Sequence, residues 1–464
     1  MKTTIRTTLA SLAMLILAPL AQAGPLQDHP GFWLGEMKVP GGPVLHIGAE
    51  LFVRADGSAW ASIASPDQGA YGIPVKAIRA GSGDAFLLDA GFGALELTWA
   101  KDHFDGKWKQ GKDDLPLLLR RVEGFPGPSR PQTPKAPFPY KNRELAIASR
   151  NGVMLGATLS VPNAPARPNA VVLVAGSGPQ TRHVENFGHR QFDVLADHLA
   201  RQGIAVLRYD KRGIARSTGD FDGHTATDLV DDAYAAVQAL RASGRYGRIG
   251  LIGHSEGSRV SAGVAAAHPE AVDFIVSLAG VGIPGLEMML LQDRQHALDH
   301  GATPQELERL MPYVGKYYDT VLATADGEPR VAALKALQAA QTPEDRALIA
   351  ARQMNVGTLS PNMAAKPFLP VLLKEDPSGN WRAIRAPALV LNGSLDHQVP
   401  AAENVAGIAA LKAGGNTHVE SAVMRALNHP FQTAQTGKVE EYATIQETMA
   451  PGAMQKIAAF VRRQ

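Results

Sequence analysis

The 464-residue chain contains no cysteine, which excludes disulfides, iron–sulfur clusters, thiolate zinc sites and a cysteine nucleophile together. Any covalent nucleophile must be Ser, Thr, Lys or a carboxylate. Net charge is nearly absent as well. Lys and Arg total 46 against 44 Asp and Glu, with no basic block, so nothing suits nucleic acid held by its phosphates. Aromatic residues are few at 6%, yet hydrophobic residues reach 45% and charged ones 19%, the balance of folded soluble domains. At this length two or three domains are expected. Long apolar runs are missing too. The longest, Leu9 to Leu20, falls short of the roughly 20 residues a spanning helix needs, which argues against stable membrane insertion.

That run lies within a leader-like segment. Lys2 and Arg6 precede it and the small-residue site Ala21-Gln22-Ala23 follows, so residues 1–23 are expected to be a signal peptide. The mature chain then begins at Gly24 and the protein is exported, periplasmic or secreted. No cysteine follows the site, so no lipoprotein anchor is expected.

Residues 24–123 carry short alternating runs such as Ala49-Glu50-Leu51-Phe52-Val53 and Leu95-Glu96-Leu97-Thr98-Trp99. Turns at Asp56-Gly57, Gly81–Asp84 and Asp105-Gly106 break them. A small antiparallel β-domain, a sandwich or open barrel, is expected. Four of the five tryptophans fall here, and core packing accounts for them more simply than a sugar- or lipid-binding face. Residues 124–140 hold six prolines and read as an extended linker.

From 141 to 464 the rhythm changes. Near-continuous apolar strands at 170–175, 204–208, 249–252, 274–279 and 388–391 alternate with helical stretches near 190–202, 226–243, 256–268 and 401–413. Such alternation indicates a parallel sheet covered on both faces. A Leu-, Met- and Ala-rich helical insertion, 284–380, interrupts it before the last two strands.

Ile249 to Gly257 is the most informative stretch: a buried strand running into Gly253-His254-Ser255-Glu256-Gly257, then a helix. This is the tight strand-to-helix elbow that presents a serine nucleophile, with Gly253 and Gly257 where larger side chains would clash. Ser255 needs a base, and the base an orienting acid. Asp396 follows the next-to-last strand and His429 the last, both on the edge that carries Ser255. The oxyanion donors expected are the backbone N–H groups of Glu256 and, in the loop after the strand at 171–175, Ser177. His397 and His254 are rival bases, but the first neighbours the proposed acid and the second is read as packing. The Asp210–Arg212 pair in the turn Asp210-Lys211-Arg212-Gly213 is read as loop-stabilising rather than catalytic. Gly176-x-Gly178 invites a dinucleotide-site reading, which fails because Thr181 replaces the third glycine.

The stretches VVLVAGSGPQTR (171–182), RYDKRGIARSTGDF (208–221), IGLIGHSEGS (249–258), NGSLDHQVP (392–400) and LNHPFQ (427–432) resemble α/β-hydrolases of the bacterial esterase D-like group, near the serine aminopeptidase S33 relatives. The resemblance covers the region from about Tyr140 onward. It departs at Ala175 and Thr181, where relatives often have His and an acidic residue. It implies an α/β fold with a doubly wound, mostly parallel eight-stranded sheet, a helical cap at 284–380 and the β-domain in front. It further implies a carboxylesterase acting on small-molecule esters through Ser255, His429 and Asp396, with no metal and no cofactor. Two alternatives stay open: an S33-like aminopeptidase or amidase with Asp293, Glu306 or Glu308 as its anionic subsite, and an exported binding protein on a hydrolase scaffold. The Met288–Leu291 and Phe368–Leu373 segments are candidates for lining an acyl pocket.

Overall fold

The computed structural model describes residues 25–81, 84–128, 130–358 and 368–464. The leader segment and the Ser82-Gly83 pair of one expected turn lie outside the described residues. Nine short strands come first: β1 (Gly31–Lys38), β2 (Val44–Val53), β3 (Ala59–Ser65), β4 (Ala70–Pro74), β5 (Ala77–Ala80), β6 (Ala85–Asp89), β7 (Ala94–Ala100), β8 (His103–Gln110) and β9 (Asp113–Val122). They form one sheet in the order β4-β3-β2-β1-β9-β8-β7-β6-β5, antiparallel at every pairing.

Period-two alternation gives that sheet one apolar face. In β8, Phe104 and Trp108 turn inward while Asp105 and Lys107 face solvent. Asp105-Gly106, expected as a turn, lies in the middle of this strand because both residues are paired on either side with β7 and β9. Strands near opposite edges share a core that includes Ile63 of β3 and Leu88 of β6, and a single helical turn at Pro25–Asp28 touches both β2 and β6. The sheet is therefore curled into a half-barrel. The tryptophans serve packing: Trp33 and Trp108 are buried inside it, and Trp60 stacks on Phe52 against Ile214 and Ala215 of the second sheet's loops.

The second sheet contains β10 (Tyr140–Ala148), β11 (Met154–Pro162), β12 (Ala170–Val174), β15 (Ala205–Tyr209), β16 (Ile249–His254), β17 (Phe274–Leu278), β18 (Ala388–Gly393) and β19 (Val419–Met424). A separate two-stranded hairpin, β13 (Glu185–Asn186) and β14 (His189–Arg190), stands beside it. The order is β10-β11-β15-β12-β16-β17-β18-β19, with β10 and β11 antiparallel and the other six mutually parallel. Every residue of β12, β15, β16, β17 and β18 is buried, which is why these strands read as unbroken apolar runs. Helices Gln191–Arg201 and Pro451–Arg463 cover one face; Ala226–Ala242 and Glu256–Ala267 cover the other.

Because the six strands run the same way, the loops that leave them gather at one edge. Ser177, Asp210, Ser255, Asp396 and His429 all stand there. Helices Gly285–Asp299, Pro304–Ala323, Glu328–Ala339, Pro343–Ala351 and Phe368–Lys374 are inserted between β17 and β18 and pack around their own core of Leu310, Val314, Tyr317, Val321 and Leu334.

The two sheets are joined by more than the linker. Arg54 donates to the carbonyls of Gly213 and Ala215 at 2.8 Å each. Arg130, in the linker, donates to those of Phe187, Ala443 and Ile445 at 2.6, 2.9 and 2.8 Å.

Candidate active site

Ser255 sits between β16 and the helix Glu256–Ala267 with φ +54° and ψ −123°, a conformation that costs a non-glycine residue of order 1–3 kcal/mol. Its neighbours enforce the turn. A Cβ on Gly257 would lie 2.0 Å from the Val174 carbonyl oxygen, and one on Gly253 would lie 2.2 Å from that of Gly257. The Ser255 N–H is anchored on the Leu278 carbonyl at 2.9 Å. The helix therefore starts directly behind the serine, with its positive dipole end toward it.

Thirty-three residues apart in sequence, Asp396 and His429 meet: His429 Nδ1 is 2.9 Å from Asp396 Oδ2. A carboxylate can only accept, so Nδ1 carries a proton, and in the neutral tautomer this selects, Nε2 is the nitrogen left with a lone pair. The other Asp396 oxygen accepts from the N–H groups of Gln398 and Val399 at 3.0 and 2.8 Å. The carboxylate is fully buried. Ser255 and His429 line one cavity of ≈ 420 Å³; among the described residues no hydrogen bond joins them. Contacts of this kind are often loose before substrate closes them.

His254 lies beside this group but faces elsewhere. Its Nε2–H donates to the His429 carbonyl at 3.0 Å. Burial, with the nearby His429 acting in the same direction, pushes its pKa down to about 3, so the ring is neutral. His397 turns to the insertion and pairs with Asp299 at 2.9 Å.

Neither the Ser177 nor the Glu256 N–H has a backbone acceptor among the described residues, and both residues adjoin Ser255 in a second cavity of ≈ 80 Å³. Met288, Met289 and Leu372 wall that cavity, joined by Val281, Ile283 and Val399. The Phe368 side chain lies outside the described residues. A third space of ≈ 270 Å³ shares Ser177, Leu372 and an ion cluster with it.

That cluster joins three separate elements. Glu256 pairs with Lys211 at 2.8 Å and with Arg259 at 3.3 Å. Burial alone would raise its carboxyl, but the two cations outweigh burial and hold the pKa at about 2. Arg259 also binds Glu375, whose pKa burial raises to about 7 against the pull of that guanidinium. The Glu256–Arg259 pair was readable as an i,i+3 helix contact. Glu375 comes from the insertion, where nothing local marks it.

Asp210 and Arg212 do not pair with each other. Asp210 is held by Arg182, with contacts of 2.7 Å from both the backbone N–H and Nη2, while Arg212 binds Asp232 and Asp228. Both still brace the loop, but neighbours on a turn leaving a strand point apart, and each took a partner from another element. Asp293, Glu306 and Glu308 line none of the cavities at Ser255. Asp293 is buried under Tyr318 inside the insertion, Glu306 caps the helix Pro304–Ala323 and binds Arg352, and Glu308 is solvent-exposed. Among the described residues no group of three or more His, Asp or Glu is placed to hold a metal ion, and no helix is long and apolar enough to cross a membrane.

A family model described as serine aminopeptidase, S33, matches residues 182–432. The esterase EstD of Thermotoga maritima is 24% identical over 293 residues, 63% of this chain and 60% of its own length, so the chain spans less than two thirds of that relative. The putative carbamate hydrolase RutD of Yersinia enterocolitica is 32% identical over 117 residues, 25% of this chain and 37% of its own. Among solved structures, the esterase Pf2001 of Pyrococcus furiosus has 15% identity and a TM-score of 0.41, covering 70% of this chain and 91% of that one.

Proposed function

This chain belongs to the serine aminopeptidase S33 family of esterase-like α/β-hydrolases, and from that membership and the geometry at Ser255 we propose that it is a serine carboxylesterase. What carries this reading is the buried Asp396–His429 bond of 2.9 Å opening into the cavity that also contains Ser255. In the proposed reaction Ser255 Oγ attacks the ester carbonyl carbon and its proton passes to His429 Nε2. The bond from carbon to the alcohol oxygen breaks, and the alcohol leaves with that proton. Water then attacks the acyl-enzyme, giving a proton to His429, and the acid departs as Ser255 regains its own.

The developing oxyanion would take hydrogen bonds from the Ser177 and Glu256 N–H groups. A carboxylate at Glu256 would repel that anion if left alone. Lys211 and Arg259 neutralise it, which gives the ion cluster a purpose beyond structure. The apolar space at Met288 and Met289 is proposed for the acyl chain. Asp293 and Glu306 are engaged elsewhere and Glu308 faces solvent, while the acids that do line the space at Ser255, Glu256 and Glu375, are paired with Arg259, which favours esters over aminoacyl substrates.

Turnover of p-nitrophenyl acetate by the purified protein, against aminoacyl anilides, tests the reading. Ser255→Ala should lower kcat by several orders of magnitude, about 10⁶ in well-studied serine hydrolases, and adding His429→Ala should cost little more. Fluorophosphonate should label the parent protein and not the variant. Retention of more than a few per cent of activity by Ser255→Ala would sink the assignment.

A further inference from the structure

Proton transfer decides on which side of Ser255 the alcohol lies. Its oxygen takes the proton from His429, so the alcohol occupies the ≈ 420 Å³ cavity that contains His429, and the acyl group the ≈ 80 Å³ space that reaches Ser255 without it. No Asp, Glu, Lys or Arg among the described residues lines the larger cavity; four glutamines do.

Each glutamine already has one amide N–H engaged. Gln180 donates to the Ser177 carbonyl at 3.2 Å, Gln191 to that of Pro430 at 3.1 Å, Gln292 to that of Gln398 at 2.8 Å, and Gln398 to the Tyr442 hydroxyl at 3.0 Å. Carbonyls accept only, so for the first three the orientation of the amide follows from chemistry. None of the four Oε1 atoms takes a hydrogen bond from a described residue, and none is sealed from solvent without a partner. The wall thus offers neutral amide acceptors, together with the second N–H of each amide, and no charge. An ammonium would meet no carboxylate there and a phosphate no cation. Hydroxyl groups, neutral donors, fit it.

The rim adds an apolar plate. Phe187 is 38% exposed, at φ +51° on the two-residue turn joining β13 to β14. Arg130 grips its carbonyl, and Pro128 lies so close behind the next residue that a Cβ on Gly188 would be 2.6 Å from it. These contacts fix the backbone that carries the Phe187 ring to the cavity, and an exposed aromatic of this kind offers a surface for the C–H face of a ring.

We propose that the alcohol half of the substrate is a sugar-like polyol, its hydroxyls donating to the Oε1 atoms of Gln180, Gln191, Gln292 and Gln398 and its C–H face resting on Phe187. The inference rests on the esterase reading. The substrate class is accordingly a polyol or glycoside bearing a short acyl ester.

The full chain is assayed on p-nitrophenyl acetate, on a monoacetylated methyl glucoside and on cyclohexylmethyl acetate, a ring ester without hydroxyls. The glucoside acetate should exceed cyclohexylmethyl acetate in kcat/KM by about tenfold or more, because hydroxyls would pair acceptors that the hydrocarbon leaves bare. In Gln180→Leu and in Phe187→Ala, each checked for folding by circular dichroism, the ratio of kcat/KM for the glucoside acetate to that for p-nitrophenyl acetate should fall about tenfold. Equal rates on the two ring esters, with p-nitrophenyl acetate still turned over, would overturn the polyol inference and leave the esterase reading standing. A folded protein that hydrolyses none of the three overturns the esterase reading and this inference with it.

Discussion

Replacing Asp396 by Asn changes one atom, and the surroundings dictate how the new amide must sit. The position of Oδ1 receives two backbone N–H donors, from Gln398 and Val399, whereas that of Oδ2 faces only His429. An amide with its NH2 group toward the two donors would leave both unsatisfied in a site closed to water. At about 1–3 kcal/mol for each orphaned donor, that orientation is disfavoured by about 2–6 kcal/mol, at least roughly thirtyfold in population. The amide oxygen therefore stays with the backbone and its NH2 turns to His429. The imidazole must then accept at Nδ1 and carry its proton on Nε2, where it can no longer deprotonate Ser255. The expected result of Asp396→Asn is a fall in kcat of about 10⁴-fold with little change in fold. Stopped-flow or steady-state hydrolysis of p-nitrophenyl acetate reads the rate, and ¹⁵N-histidine NMR reads the tautomer. A variant within tenfold of the parent rate, or one keeping its proton on Nδ1, would refute the reasoning.

Met289→Trp should fill the ≈ 80 Å³ space and move preference toward shorter acyl groups, by about tenfold to two-hundredfold in kcat/KM per carbon at most, read from an acetate-to-octanoate series. Glu375, with its folded pKa raised to about 7, contributes stability that is present below the ordinary glutamate range and is lost as pH rises through about 7. Thermal melts of Glu375→Gln between pH 4 and pH 8 should lack that decline; an identical profile in parent and variant would count against it. Export is proposed from the Lys2–Ala23 pattern, and N-terminal sequencing of the soluble protein should begin at Gly24, not Met1.

What could be read from the chain followed how local each signal was. The elbow is nine consecutive residues whose steric needs, two glycines about a serine, are visible without any partner. Asp396 and His429 needed only one further rule, that loops leaving parallel strands share an edge. The β-domain was legible as alternation in β2 and β7, but the choice between a sandwich and an open barrel was not, because the curl depends on the turn Pro25–Asp28 meeting both β2 and β6. Side-chain partners escaped wherever they come from distant elements. Asp210 took Arg182 rather than Arg212 two positions away, and the glutamines at 180, 191, 292 and 398 belong to four separate segments with no shared spacing. Asp293 looked like an available acid, but amphipathic helices give no hint of which polar residue lies under Tyr318.

The single guanidinium of Arg130 has a consequence for how the whole molecule comes apart. It ties the hairpin tip at Phe187 to the segment around Ala443 and Ile445, beside the bonds of His189 to Tyr442 and Thr448. Arg54 and the Phe52–Trp60 stack do the same on the Gly213–Ala215 loop. The front half-barrel is thus a brace that the rear sheet leans on. Removing the half-barrel would leave the Gly213 and Ala215 carbonyls without the Arg54 guanidinium and bare the apolar patch at Ile214. These contacts couple the two sheets, and a single calorimetric transition rather than two is the expected outcome.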